Sequence, residues 1–555
     1  MRPDPDLTVV IASRDRPRRL RACLESLVAE GVGTDTFEVI VAVDRADHRT
    51  GALLASFDAP WSLRAHVHEW TDRVSALNGA GSRAAGRYLL FIDDRGVADP
   101  ELMAAHLSEQ RRAPVIGVGL IRHSDRASNS PFLRWLDAQP RLRTVSLTPR
   151  DGPNLADVSI GNLSMPKAGF AAANGFASGL PAGHAIELCH RLQRRGHALV
   201  SVGAALTHAG SRSITVLREE EALGQAAVEL LRRHPEILDR LPLGYFHETS
   251  LRAVLLRHLL LRVGISPGML APFGRAARAS AWSGEWYRFL MDYAYWRGVR
   301  RVAGGDLWAR LTAGNVILMY HAIGRRRERA SRYVVPPGTF LRQMQMIRRS
   351  GRPTISLDAY AQQRHAHQLP PAGAIIVTLD DGYADNALAN RIVNETLIPA
   401  TIFLTTGMIG DRNRWDAAGI LHDRPLLTWN AIRKMHRDGM AFGCHSQHHP
   451  RLDQIDETVL AKEVQGSARD FERELGVAPT TFAYPYGDHD ATVRASVRDA
   501  GFAVACAGVK GKNSPATDWL ALRRTEVRGT YGRLRFAIVL WLGVPDPVRR
   551  LVTGR

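Results

Sequence analysis

Residues 87–96 read RYLLFIDDRG: an arginine, five apolar positions, two aspartates, then Arg95 and a glycine. A short apolar run without polar interruption is the pattern of a strand buried on both faces, as parallel sheets require. LTVVIAS (7–13) and FEVIVAVD (37–44) repeat it, and PRRLRACLESLVAE (17–30) between them carries leucines at helical spacing. Strands alternating with helices imply an open α/β sheet, whose ligands bind outside the carboxyl ends of the strands. Asp15, Asp44, Asp93 and Asp94 are therefore expected to converge on one crevice. Arg95 puts a fixed cation where a third acid would help hold a divalent ion, which needs several hard oxygens.

A second series begins after a helical stretch. NVILMYH (315–321), AIIVTLDDG (374–382), ATIFLTT (400–406), MAFGCHS (440–446) and TFAYPYG (481–487) are short β-rich runs separated by helical segments, each followed by polar residues. Repeated βα units ending in chemistry predict a barrel-like parallel fold with its active site at the strand C-termini. A chain of 555 residues is too long for a single core. The organisation expected is a first domain over 1–240, a helical segment over 241–310, and a second domain over 311–555.

Bulk properties narrow the function classes. The net charge of +18 would suit nucleic acid, an anionic membrane face or an acidic glycan. The arginines are spread along the chain and no nucleic-acid motif accompanies them, so no nucleic-acid partner is expected. Cys23, Cys189, Cys444 and Cys506 lie far apart, which fits a reducing compartment and argues against a cysteine zinc site. MRPDPDLTVVIAS has no apolar signal core, and no run reaches the roughly 18 residues needed to span a bilayer. A cytoplasmic protein is expected, with peripheral contact at the inner membrane face open to the basic, aromatic stretch 251–305.

The chemistry of the second half lies in TLDDG and HSQHHP. Asp380 and Asp381 follow a buried strand, and His445 and His449 at i, i+4 spacing face one point if the backbone turns helically. Two histidines and a carboxylate leave a fourth position open on a metal, where bound water loses a proton near neutral pH. The other aspartate is then a candidate general base.

TLDDG, HSQHHP and FAYPYG, with VILMYHAIG before them and LALRRTEV (520–527) after, resemble carbohydrate esterase family 4, the polysaccharide deacetylases with a NodB-homology domain. The resemblance covers roughly 311–530. It implies a distorted (β/α) barrel and metal-dependent removal of acetyl from an N-acetylated sugar. Carried over by position, Asp380 is the base, Asp381, His445 and His449 hold the metal, usually zinc, the backbone N–H of Tyr486 stabilises the oxyanion, and Ser446 braces the histidine loop. Two departures from the pattern stand out: Ala483 stands where many members have an arginine that orients the base, and Arg523 and Arg524 stand where a late histidine would be the general acid. Arginine does not give up its proton at useful pH; His321, and less readily His489, are the candidates for that acid.

In the first half, VVIASRDRPRRLRACLESL, FEVIVAVD, AGRYLLFIDDRGVADPELMAAH and GNLSMPKAGFAAANGFASGLPAGHAIELCHRLQRRGHAL resemble a family 2 glycosyltransferase of GT-A fold over roughly 5–235. Such a domain implies a nucleotide sugar held through magnesium or manganese by a D-x-D motif. Here Asp93 matches the first acid and Arg95 replaces the second, while Ala185 occupies the catalytic-base position, with His184 and Glu187 beside it. Glu187 is expected to be an exposed helix residue. Arg95 is a possible phosphate contact, since guanidinium forks suit phosphate oxygens. Asp15 and Asp44 are candidate contacts for base and ribose, and His208 for the diphosphate. The function expected is a deacetylase acting on an N-acetylated or lipid-linked saccharide, fused to a domain that binds a nucleotide sugar rather than transferring it, in surface-glycan assembly. The alternatives are an active transferase with a scaffold deacetylase, or a non-catalytic glycan-binding protein.

Overall fold

The computed structural model describes residues 5–29, 37–124, 130–138, 154–209, 212–273, 282–325, 332–416 and 419–545. They form two compact units, one of residues 1–242 with 257–303, the other of residues 243–256 with 304–555. The segment 241–310 is thus divided between the two.

The first unit is built on eight strands: β1 (Leu7–Ser13), β2 (Phe37–Asp44), β3 (Ser62–His68), β4 (Tyr88–Asp93), β5 (Gly96–Ala98), β6 (Ile116–Ser124), β7 (Asn162–Pro166) and β8 (Leu199–Ala209). Their order is β3-β2-β1-β4-β7-β6-β8-β5. The first four run parallel, β7 is antiparallel to β4 and β6, and β5 is antiparallel to β8. Every residue of β1, β2 and β4 is buried, whereas β3, at the edge, has SLRAHVH with no buried position. That contrast follows the apolar pattern: doubly covered strands read as unbroken apolar runs and edge strands as mixed ones. The open α/β sheet expected from the sequence is present, and Ser13, Asp44 and Asp93 end its three central strands.

Also in this unit, helix Trp282–Val302 packs along helix Ser213–Arg233. A Cβ on Gly224 would strike the Tyr295 carbonyl oxygen, and one on Gly298 would strike that of Glu221. Two glycines therefore let the backbones touch, and Glu221 accepts from Arg297 at 2.7 Å beside the crossing.

The second unit carries a seven-stranded, wholly parallel sheet of β9 (Val316–Tyr320), β12 (Ile375–Leu379), β13 (Ala400–Leu404), β14 (Ala441–Cys444), β15 (Thr481–Ala483), β16 (Val504–Cys506) and β17 (Arg524–Glu526). A short parallel pair, β10 (Ala322–Ile323) and β11 (Val334–Val335), stands apart from it. The order is β16-β15-β14-β13-β12-β9-β17, and a bridge between Cys506 and Leu522 brings its two ends together, so the sheet nearly closes into the expected barrel. Among the described residues, no helix is long and apolar enough to cross a membrane.

Alanine in place of an ordinary mid-helix glycine stabilises by about 1 kcal/mol. At the crossing the sign should reverse: Gly298→Ala is expected to destabilise by about 1–3 kcal/mol through overpacking, read as a lowered thermal midpoint. A raised midpoint would show that the helices are not in backbone contact.

Candidate active site

Five strands of the second unit end at one cleft. β9 leads to His321, β12 to Asp380 and Asp381, β14 to His445, β15 to Tyr484 and Tyr486, and β17 supplies Arg524 and Glu526. At its floor, Asp381, His445 and His449 are all buried, with one potential ligand atom from each within 4.8 Å of the others. Asp381 Oδ1 lies 3.4 Å from His445 Nε2 and 3.3 Å from His449 Nε2, yet it has no hydrogen bond. A buried carboxylate oxygen without a partner is costly, and two imidazoles aimed at it give the donor set of a divalent cation. Despite burial, the two histidines hold the Asp381 carboxyl well below its ordinary range. Burial pushes His449 down towards the neutral form that ligation needs, while Asp381 and Asp380 hold His445 up against its burial.

The surroundings fix these groups. His445 Nδ1–H donates to the Ala483 carbonyl at 2.7 Å, which leaves Nε2 as the nitrogen facing Asp381 and available to a ligand. The Ser446 hydroxyl accepts from the His449 amide at 2.9 Å. Glu463 accepts the amides of Gln447 and His448 at 3.0 and 2.8 Å, and also the His448 ring at 2.7 Å. His448 is thereby turned away from the cleft, and the loop is tied to helix Glu457–Leu475. Asp381, Ser446, His449 and Tyr486 all have φ between 60° and 74°. Such strain in residues with side chains is held only where surrounding structure enforces it, and it gathers at functional sites. The Trp415 and Tyr486 rings pack on His449 with centroids 4.7 Å away.

Asp380 is gripped by an arginine that sequence reasoning considered only as a failed acid. Arg524 donates through both terminal nitrogens, at 2.6 Å to Oδ1 and 2.9 Å to Oδ2, and both side chains are buried. Burial alone would raise the Asp380 carboxyl; the guanidinium outweighs it and holds the group below the usual range. The arginine absent at Ala483 thus has a counterpart on β17. The signal was visible as a charged residue at an inward strand position, but only the fold says which carboxylate it meets. Glu526 was also missed. It is buried at the cleft wall, accepting from Arg332 Nε and Arg528 Nε at 2.9 Å each. His321 lines the same cleft, its ring against Tyr333 at 4.8 Å. His489 stacks on Tyr484 at 4.6 Å and is not among the lining residues.

In the first unit, Asp44, Asp93 and Asp94 are buried at the strand ends, while Asp15 has an exposed side chain. Arg95 folds back on Asp93. His208 sits across from Gly96 in the β5–β8 pairing, next to that turn. Ala185 is buried on helix His184–Gln193 and offers no base. Glu187 is not the exposed residue expected: it is buried and clamped by Arg191 at 2.7 and 2.6 Å, because its helix packs that face inward. His184 is bound to the Ala177 carbonyl at 2.9 Å. A further group, His190, His234 and Glu236, brings its ligand atoms within 4.8 Å, but His190 already hydrogen-bonds Glu236 at 2.9 Å and Arg194 stands 3.5 Å from the same oxygen.

Comparison with known proteins divides the chain in the same way. Residues 367–505 match the polysaccharide deacetylase family and residues 8–170 match glycosyl transferase family 2. A Bacillus subtilis (strain 168) relative named as a polysaccharide deacetylase, YxkH, is 23% identical over 212 residues, 38% of this chain and 70% of its own. The Streptococcus pyogenes deacetylase PplD, solved with acetate, is 24% identical over 39% of this chain and 93% of its own, with a TM-score of 0.35. The mannosyltransferase PcManGT from Pyrobaculum calidifontis is 14% identical over 53% of this chain and 87% of its own, with a TM-score of 0.37. The chain therefore carries a polysaccharide deacetylase domain and a glycosyl transferase family 2 domain.

Breaking a buried ion pair by removing one member costs about 3–5 kcal/mol, because the other charge is left unpaired. Arg524→Met should lower the stability of the deacetylase domain by that amount in urea denaturation. Adding Asp380→Asn to it should recover a large part of the loss; a double variant as unstable as the single one would mean that the pair is not the coupling.

Proposed function

We propose that the second unit is a metal-dependent deacetylase that removes acetyl from an N-acetylated sugar or lipid-linked saccharide. The observation that carries this reading is the unpartnered Asp381 Oδ1 facing two imidazole nitrogens, with a separate, ionised carboxylate beside it. A divalent cation held by Asp381, His445 and His449, zinc before others given two nitrogen ligands, would supply the Lewis acid and an acidified water. Asp380, kept ionised and oriented by Arg524, would accept the proton of the attacking water. The backbone N–H of Tyr486, on a residue held at φ 60°, is the oxyanion donor. His321, at the end of β9 on the same cleft, is the proton donor to the leaving amine. Trp415, Tyr486 and Tyr333 give the cleft aromatic walls of the kind on which a sugar ring packs.

The first unit, in this reading, binds a nucleotide-activated sugar and is impaired in transfer. Each candidate for the missing base is engaged elsewhere: Ala185 has no proton-accepting group, Glu187 is held by Arg191, and His184 by a carbonyl. Two glycan domains on one chain support consecutive steps in cell-surface glycan assembly, on a precursor rather than mature polymer. Peripheral contact with an anionic membrane face belongs to the same reading, supported by exposed Leu259, Val263, Met269 and Phe273 with Arg262 among them.

Purified protein is expected to contain about one zinc per chain, and acetate release from N-acetylglucosamine oligosaccharides should stop on chelation. Asp381→Asn should lose the metal. Asp380→Asn should keep it but release acetate at least about a hundredfold more slowly. Equal rates in Asp380→Asn and the unaltered protein would defeat the assigned base, and metal-free protein with full activity would defeat the centre.

A further inference from the structure

At the strand ends of the first unit, the buried carboxylates of Asp44, Asp93 and Asp94 are each already matched by arginine. An ionised carboxylate has about four lone-pair sites on its two oxygens. On Asp93 all four are taken: Oδ1 accepts the Arg95 amide at 3.0 Å and Arg95 Nε–H at 2.9 Å, and Oδ2 accepts the NH2 groups of Arg95 at 3.0 Å and Arg73 at 3.2 Å. Asp94 accepts from the Ser13 hydroxyl at 2.8 Å and from Arg16 at 3.2 Å. Asp44 accepts the Ala46 amide at 3.0 Å and has Arg14 Nε at 3.3 Å. Glu219, on helix Ser213–Arg233, takes a terminal nitrogen of Arg95 at 3.0 Å and anchors the guanidinium from the other side.

This donor set does not fit the divalent cation that a domain of this family would imply. Magnesium and manganese need several oxygens with free lone pairs. Here a cation would have to strip two guanidiniums from Asp93 and then remain within a few ångströms of them, against direct Coulomb repulsion. Arg14, Arg16, Arg73 and Arg95 stand against Asp44, Asp93, Asp94 and Glu219, so each of these carboxylates already faces a guanidinium without a metal. Three of the five N–H groups of Arg95 are engaged, which leaves two. The side chains of Arg14, Arg16 and Arg73 are between 39% and 53% exposed, so each can be reached by a ligand at the strand ends. Guanidinium edges are suited to phosphate oxygens.

We infer that this strand-end cluster takes a nucleoside diphosphate group without a divalent cation, the Arg95 guanidinium standing in the metal's seat. The inference rests on the reading of the first unit as a nucleotide-sugar domain. It makes Arg95 the residue that sets metal independence, and it identifies Arg14, Arg16 and Arg73 as the rim that meets the phosphates.

The test is calorimetry of UDP and GDP into the full chain, once in EDTA and once in excess manganese. The unaltered protein should bind one of them with affinities that agree within about threefold in the two conditions. Arg95→Asp, which removes the cation and adds a carboxylate, should bind at least about tenfold more weakly in EDTA and recover when manganese is present. Arg95→Lys, which keeps the charge and should disturb folding less, should remain indifferent to manganese. Electron paramagnetic resonance of manganese added to Asp381→Asn, with the other centre disabled, should show no tightly bound ion. Nucleotide binding that needs manganese, or a bound ion lost on Asp93→Asn, would overturn the inference while leaving the nucleotide-sugar reading in place. Failure of both nucleotides to bind in either condition would overturn the two together.

Discussion

A carboxylate buried at the end of a parallel strand cannot stay ionised without a partner, and this constraint organises both halves of the chain. Each half places two adjacent aspartates at the mouth of a buried central strand. In the second unit, one of the pair is closed by arginine and the other is left open towards two histidines. In the first unit, both are closed by arginine and serine. The same local sequence, an apolar run followed by two acids, thus gives an oxygen without a hydrogen bond facing two imidazoles in one place and a completed charge cluster in the other. The partners decide which: Arg95 is two residues from Asp93, while Ser13, Arg16, Arg73 and Arg524 come from distant parts of the chain.

Holding one oxygen open has a structural cost that is met nearby. The cleft of the second unit concentrates four of the ten left-handed residues with side chains found among the described residues. Asp381 needs that conformation to project after β12, and Ser446 and His449 need it to fold the histidine loop over it. Each such residue is disfavoured by about 1–3 kcal/mol. The compensation is visible in Glu463, which collects two amides and an imidazole, and in Asp470, which accepts from Gln447 at 2.7 Å and Thr406 at 3.1 Å. Gly466 makes room for the Gln447 side chain, since a Cβ there would collide with it. The strained loop is therefore braced by one helix rather than by the ligands themselves.

The alternation of strands and helices, the two fold classes and the gathering of Asp381, His445 and His449 were legible in the sequence because apolar runs and short-range spacing carry them; the order of the strands was not. Arg524 and Glu526 were not. Both lie in RRTEV, a stretch with ordinary alternation, and their meaning depends on β17 pairing with β9 across the nearly closed sheet. Glu187 failed for a related reason: helical spacing says which residues share a face, but not that a buried acid on that face will find Arg191 one turn on and stay inside. The Arg524–Asp380 pair leaves no periodic trace, and the i,i+4 spacing of Glu187 and Arg191 does not say that the pair will be buried.

The position of Arg95 shows why a single substitution at a strand end can change what a cleft accepts without changing its fold. It lies two residues from Asp93 in a turn that ends in Gly96, where a Cβ would collide with the Leu206 side chain. That close packing fixes the turn, so the side chain at 95 has little choice but to fold back over Asp93. An acid there would add a third negative charge to the pair and require an external cation. An arginine there satisfies Asp93 at once, and two of its five N–H groups remain unused. The backbone is indifferent to the exchange, and only the electrostatic requirement of the site is inverted.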